Sequence, residues 1–189
     1  MEYNQNLSNL SYEQLAIINR MRLLWEQHVY WTRMLLISIA EKLKDQHDVT
    51  DRLLENPYNI ADVYAEYYGE STANTIAQLL TEHMQIGAGL ITALRDNKSA
   101  ESDILTKKWY ENADKMADAF NSINPYYDRN ELQKMLYSHL DLTLHEVAMR
   151  LSENYIADIT TFNEVEHEAI STADYLSIGI MQQFPEKFT

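Results

Sequence analysis

Leu24-Trp25-Glu26-Gln27-His28-Val29-Tyr30-Trp31-Thr32-Arg33-Met34-Leu35-Leu36-Ile37-Ser38-Ile39-Ala40 lies within a stretch, Ser11 to about Leu43, that holds no glycine and no proline. Apolar residues recur there at helical spacing (Leu15, Ile18, Trp25, Val29, Met34 and Ile37, with Arg22 as a break), which predicts one continuous helix. Ser11-Tyr12-Glu13-Gln14 opens it as a capping box, a Ser hydroxyl for an orphan amide and a Gln three residues on. Over Met34–Ala40 the sequence is apolar almost all round, the pattern of a helix in the middle of a bundle. Such a helix spans on the order of 50 Å at ~1.5 Å per residue, so it is expected to set the long axis of the fold.

Working outward, Lys44–Asn59 forms the first connection, with a short helix expected at Thr50–Glu55 that Asn56-Pro57 ends. A second short helix is expected over Ile60–Tyr68, closed by Gly69 in a left-handed conformation. Long helices then follow from Ser71 to about Arg95, from Ala100 to Ile123 (stopped by Asn124-Pro125), and from the capping box Asp128-Arg129-Asn130-Glu131 to about Asn154. A further capping box, Thr161-Phe162-Asn163-Glu164, is expected to open the last helix, which runs to about Gln183 before Pro185. No segment alternates with period two for long enough to be a strand. The fold class expected is all-α: an up-and-down four-helix bundle of ferritin-like type with one additional helix, in a single domain, 1–189.

Composition narrows the function classes. The chain has 189 residues, within the usual size of one domain, roughly 100–200 residues. Acidic residues number 29 and basic ones 15, a net charge of −14 that repels phosphate and argues against nucleic acid as partner. The absence of cysteine excludes disulfides, thiolate metal sites and cysteine nucleophiles. With 4 glycines and 3 prolines, there is no glycine-rich loop to cradle a nucleotide. The longest charge-free stretches, Ser71–Thr81 and Met84–Leu94, are 11 residues each, against about 20 for a membrane span. Met1–Asn6 is polar and lacks the basic start and apolar run of an export signal, so a cytoplasmic location without membrane contact is expected.

The chemistry-bearing residues are histidines. His28, His83, His139 and His167 each fall near the middle of an expected long helix, and the middles of antiparallel helices in a bundle sit at similar height. The neighbours one turn from His28 (Leu24, Trp25, Trp31, Thr32), from His83 (Leu79, Leu80, Ile86, Gly87) and from His139 (Met135, Leu136, Leu142, Thr143) place these three on core-facing stripes. His167 differs, with Asn163, Glu164, Ile170 and Ser171 around it; His47 sits in a polar loop, and His145 leaves the layer of His139. A weak internal repeat has the same elements: Leu24–Thr32 aligns with Met135–Thr143 on His28 and His139, and Thr81-Glu82-His83 with Val165-Glu166-His167. Repeat halves 11–97 and 126–185 would then each be a helix pair with one His per helix.

Carboxylates extend the candidate site. Glu164 and His167 have the Glu-x-x-His spacing of di-iron and di-manganese bundles, and Glu146 returns to the face of His139 after two turns. Asp174 stands in the same relation to His167, and no Lys or Arg occurs between Arg150 and Lys187 to neutralise these acids, whereas a divalent cation would. The candidate ligands are therefore His28, His83, His139, His167, Glu146 and Glu164, with Fe, Mn or Zn as the divalent metal; the lack of a second Glu-x-x-His favours one ion over two. A lone histidine on an apolar face is commonly a core residue satisfied by one hydrogen bond; it is the convergence of several that points to a metal. Glu166 and Glu168 read as a solvated face. Arg33, in a strongly apolar helix, either finds a carboxylate or anionic partner or snorkels to solvent. No nucleophile or base can be assigned. Two other functions compete: a non-enzymatic homodimer using an exposed aromatic patch near Tyr64–Tyr68 or Tyr126-Tyr127, and a bundle that binds a small organic molecule where Gly87 and Gly89 thin a helix.

At Trp25-x-x-His28-x-x-Trp31-Thr32-Arg33 the sequence resembles a family of small uncharacterised bacterial helical proteins. The likeness extends through Arg52–Asn56, Tyr67-Tyr68-Gly69, Leu79–His83 and Trp109–Asp114 to Gly179-Ile180 and Phe184-Pro185, most of the chain. Members of that family are sometimes labelled acetylglutamate kinase; a kinase of that kind needs an α/β sheet and glycine-rich loops, which this sequence does not supply. More distantly, paired helices of this sort are similar to duplicated ferritin-like bundles that can hold a metal, a likeness of fold that says little of activity.

Overall fold

The computed structural model describes residues 10–189; Met1–Asn6, read above as a polar start, lie outside the described residues. Among the described residues there are six long helices and no strand: α1 (Tyr12–Ala40), α2 (Gln46–Tyr68), α3 (Glu70–Arg95), α4 (Ser99–Ile123), α5 (Arg129–Leu151) and α6 (Tyr155–Gln183), followed by a short 3₁₀ turn, Pro185–Lys187. None of these helices is long and apolar enough to cross a membrane. The chain is therefore all-α.

Each helix packs on the next in sequence, α6 closes back on α1, and α1 also touches α3 and α5. Side-chain pairs show that neighbours run antiparallel. Between α1 and α6, Arg22 meets Asp174, Tyr30 meets Glu166 and Arg33 meets Asp158. Between α4 and α5, Tyr110 meets Asp141 and Asp118 meets Arg129. The odd-numbered helices thus share one direction, and α1, packed against α2, α3, α5 and α6, is the hub that its apolar sequence predicts. It is not buried all round, however: Met34 is exposed while Leu35, Leu36 and Ile39 face the interior.

Start signals were legible where side chains cap. Ser11 Oγ accepts from the Gln14 amide at 3.1 Å and Gln14 Oε1 from the Ser11 amide at 3.0 Å, the expected capping box. Asp128 accepts from the Glu131 amide at 2.8 Å. Two expectations fail. The two short helices of the first connection are one helix, α2, that runs straight through Pro57. A proline in a helix interior costs about 3 kcal/mol, but α2 buries Leu53, Ile60, Val63 and Tyr64 on one face, each worth about 1.5–3 kcal/mol, and burial wins. Buried Asn56 fastens this point by donating from Nδ2 to the Leu24 carbonyl at 2.9 Å. The expected capping box at Thr161 does not form either. Thr161 is buried within α6, which begins six residues earlier, where Asn154 caps the Ala157 amide.

The reason is the way the odd helices end. Lys42, Asn97 and Glu153 all have positive φ, near 54–61°. In each case the next residue's amide bonds back to the carbonyl five positions earlier: Leu43 to Ser38, Lys98 to Ala93, Asn154 to Met149. These are glycine-style C-caps built without glycine, so the sequence carries no stop signal at Glu153. Gly69 does adopt the expected positive φ, 80°, and joins α2 to α3 alone.

Aromatic packing closes the end of the bundle opposite the α5–α6 turn. Tyr64 and Tyr127 are wholly buried beside Phe120, and Tyr67 and Tyr68 pack on Phe184 and Phe188. The aromatic patch expected to be exposed at Tyr64–Tyr68 is instead packed, Tyr64 fully buried and Tyr67 and Tyr68 half-buried, because these rings fill the space between α2, α4 and the chain end. Of the other pair, Tyr126 is exposed and Tyr127 is not. Gly179 lies directly against the Tyr127 ring, whose hydroxyl donates to the Leu176 carbonyl at 2.6 Å. A Cβ at Gly179 would collide with that rigid, buried ring. At Gly89 a Cβ would meet only the tip of Leu105, at 3.6 Å. Urea unfolding should thus show Gly179→Ala less stable by about 1–3 kcal/mol and Gly89→Ala unchanged or more stable by about 0.5–1 kcal/mol; equal effects at the two positions would contradict this packing.

Candidate metal centre

The odd helices α1, α3 and α5 each deliver one imidazole to the bundle interior. His28, His83 and His139 are buried, and one potential ligand atom from each lies within 4.8 Å of the other two. Ring centroids are 5.4 Å apart for His28–His139, 6.0 Å for His83–His139 and 6.1 Å for His28–His83. An ion equidistant from three atoms at the 4.8 Å limit would lie about 2.8 Å from each, so side-chain shifts of roughly 0.7 Å reach the 2.0–2.1 Å of a metal–imidazole bond.

The surroundings orient these rings. Asn112 on α4 donates from Nδ2 to the Leu79 carbonyl at 3.1 Å and to Glu82 Oε2 at 3.2 Å, which turns its Oδ1 toward His83 Nδ1, 3.2 Å away. Oδ1 can only accept, so His83 carries its proton on Nδ1 and presents a lone pair on Nε2. His139 Nδ1 lies 3.3 Å from Glu168 Oε2, though not aligned as a hydrogen bond; Thr172 steadies that carboxylate by donating to Oε1 at 2.7 Å. A carboxylate or amide oxygen behind the imidazole is the outer-shell arrangement of metal-binding histidines. His28 has Trp25 edge-on to its ring, 6.0 Å between centroids, and its Nδ1 is buried without a hydrogen-bond partner, at a cost of about 1–3 kcal/mol. Trp109 lies over His83, 5.2 Å between centroids, and donates from Nε1 to the His83 carbonyl at 3.0 Å. It fits because position 87 is glycine: a Cβ there would come within 3.2 Å of the indole.

Burial and mutual repulsion push the His28 imidazole well below its ordinary pKa, and burial takes His83 down to about 3. Both are neutral at pH 7, the form that binds metals.

The other expected ligands are elsewhere. His167 and Glu164 are exposed. The buried stripe of α6 is Val165, Ala169, Thr172, Ala173 and Leu176, and His167, two residues beyond Val165, points about 200° away from it. The expected alignment of His28 with His139 brings both into the cluster, while that of His83 with His167 does not. Glu168, read as solvated, is the acid that α6 turns toward His139. Glu146 is buried but paired with Arg33, which also makes a two-pronged contact to Asp158 at 2.8 and 3.2 Å. Arg150 joins Asp158 (3.4 Å) and Glu41 (3.0 Å) to the same network. Burial lifts the Glu146 carboxyl to about 7 against the pull of Arg33. Arg33 thus finds carboxylate partners instead of snorkelling. Asp174 is neutralised by Arg22 on α1 through two contacts of 2.6 Å, so the missing cation is supplied from across the interface. Asn112 was the legible signal that went unread, a polar residue on the stripe of Trp109, Ala113 and Met116.

Comparison with protein-family models, curated proteins and solved structures finds no match to the chain.

The folded-state pKa of His28 and His83 is depressed, so their contribution to stability is complete above the unfolded value near 6.5 and is lost as pH falls below it. Glu146, raised, acts in the opposite sense: its contribution is complete below about 4.5 and is lost as pH rises through 7. Two imidazoles outweigh one carboxyl, and urea midpoints should fall as pH drops from 6.5 to 5. In ¹⁵N NMR spectra of the metal-free protein, His83 should keep the neutral, Nδ1-protonated form down to pH 5; a His83 ring that gains a second proton near pH 6.5 would contradict the burial argument.

Proposed function

We propose that this protein is a metal-binding helical bundle in which His28, His83 and His139 hold one divalent transition-metal ion. The observation that supports this reading is the convergence of three buried imidazoles from three separate helices, with Asn112 and Glu168 behind two of them. A histidine retained only for packing needs one partner of its own; three gathered together repel one another when protonated and leave His28 Nδ1 unsatisfied. A cation reverses both penalties. The donor set is all nitrogen, which suits Zn, Fe(II), Cu or Ni and disfavours Mn, whose preference is for oxygen. His28 and His83, neutral at pH 7, have no proton to lose to the ion. Glu168 lies close enough to offset part of the ion's charge in a buried site.

Held by these three imidazoles, a metal ion would supply Lewis-acid chemistry to the site. The chain's own contribution is to fix the tautomer of His83 through Asn112, to hold His139 beside a carboxylate, and to wall the site with Leu35, Leu53, Met84 and Ile91.

Equilibrium dialysis against Zn²⁺ followed by elemental analysis tests the reading. One ion per chain is expected for the native protein and for His167→Ala, with at least a hundredfold loss of affinity in His83→Ala and in His139→Ala. Equal uptake by all four proteins would overturn it.

A further inference from the structure

Beside the three imidazoles lies a cavity of about 20 Å³ lined also by Thr32, Leu35, Met84, Ile91, Trp109 and Thr143. One water needs roughly 10–15 Å³ by this measure. Apart from the imidazoles and two threonines its wall is apolar, and the two threonines differ. Threonines inside helices usually turn their hydroxyl back to the carbonyl four residues earlier, and Thr50, Thr75, Thr92, Thr143 and Thr160 all do so here, at 2.7–3.1 Å. Thr32, one turn from His28, does not: its Oγ1 is fully buried and has no hydrogen-bond partner, a state it shares with Thr81, which lies outside the cavity. Thr32 thus brings a buried hydroxyl without a protein partner to the wall of a cavity large enough for one water.

We propose that this cavity seats a single water-sized ligand of the metal, water or a monatomic anion, and that the Thr32 hydroxyl is the group that holds it. The proposal rests on the three-imidazole metal reading. It assigns the ligand class by size and hydrogen bonding: Leu35, Met84, Ile91 and Trp109 leave no room for an organic ring, and the hydroxyl both accepts from water and donates to an anion. Thr32 is thereby a positioning residue for the fourth ligand, with no part in holding the ion.

The test uses protein loaded with Co²⁺, whose visible absorption reports changes in coordination, titrated with fluoride and separately with imidazole. Fluoride should change the spectrum saturably and imidazole should leave it unaltered. Thr32→Val should weaken fluoride binding about tenfold or more, the size of one hydrogen bond to a charged group, while Co²⁺ content stays at one per chain; Thr32→Ser should bind fluoride like the native protein. Imidazole binding, a silent response to fluoride, or native fluoride affinity in Thr32→Val would each overturn the proposal while leaving the metal reading in place. Failure to take up Co²⁺ at all would overturn both.

Discussion

Three imidazoles packed against one another in an apolar interior set the terms for the structure around them. Each brings a donor and an acceptor into a region without solvent, and none can be charged there without repelling the other two. Much of the middle of the molecule serves that constraint. α4 supplies Asn112, whose amide is locked by Leu79 and Glu82; α6 supplies Glu168, steadied by Thr172; and Gly87 lets the Trp109 indole lie over the His83 ring. The even-numbered helices orient what the odd-numbered helices present.

Glu168 apart, formal charge lies beyond the imidazole layer. Arg33 follows His28 by five residues, about 7.5 Å along α1, and there the interior becomes ionic: Arg33 and Arg150 face Glu146, Asp158 and Glu41. Toward the other end of α1 the polar interior gives way to rings, Tyr64, Phe120 and Tyr127. A single helix therefore passes through an aromatic cap, an imidazole layer and an ion-pair network. Its sequence is apolar along most of its length because each layer uses only one of its turns.

The layer of histidines was legible because i±3 and i±4 neighbours report the face on which a residue lies, and for His28, His83 and His139 those neighbours are apolar. The same rule, applied to His167, returned polar neighbours, and position 167 is indeed exposed; the Glu-x-x-His spacing outweighed that signal and pointed to the wrong residues. The α6 helix also begins earlier than the capping-box pattern at Thr161 indicates. That start was hidden by Glu153, which takes a left-handed conformation normally announced by glycine. Pro57 misled in the opposite direction, since a local breaker lost to the burial of α2 on α1. Tertiary partners were out of reach: nothing in the sequence links Arg33 to Asp158, 125 positions away, or shows that Arg22 neutralises Asp174. What the local pattern determines, it revealed; what depends on contact between distant segments, it did not.

The most direct examination of the central claim is X-ray absorption at the zinc edge on protein loaded with one equivalent of Zn²⁺. The imidazole layer predicts a shell of nitrogen at about 2.0–2.1 Å, with the outer-ring scattering of three histidines and one further light atom. A spectrum dominated by oxygen, with scattering from fewer than two imidazoles, would mean that the three rings meet for packing alone.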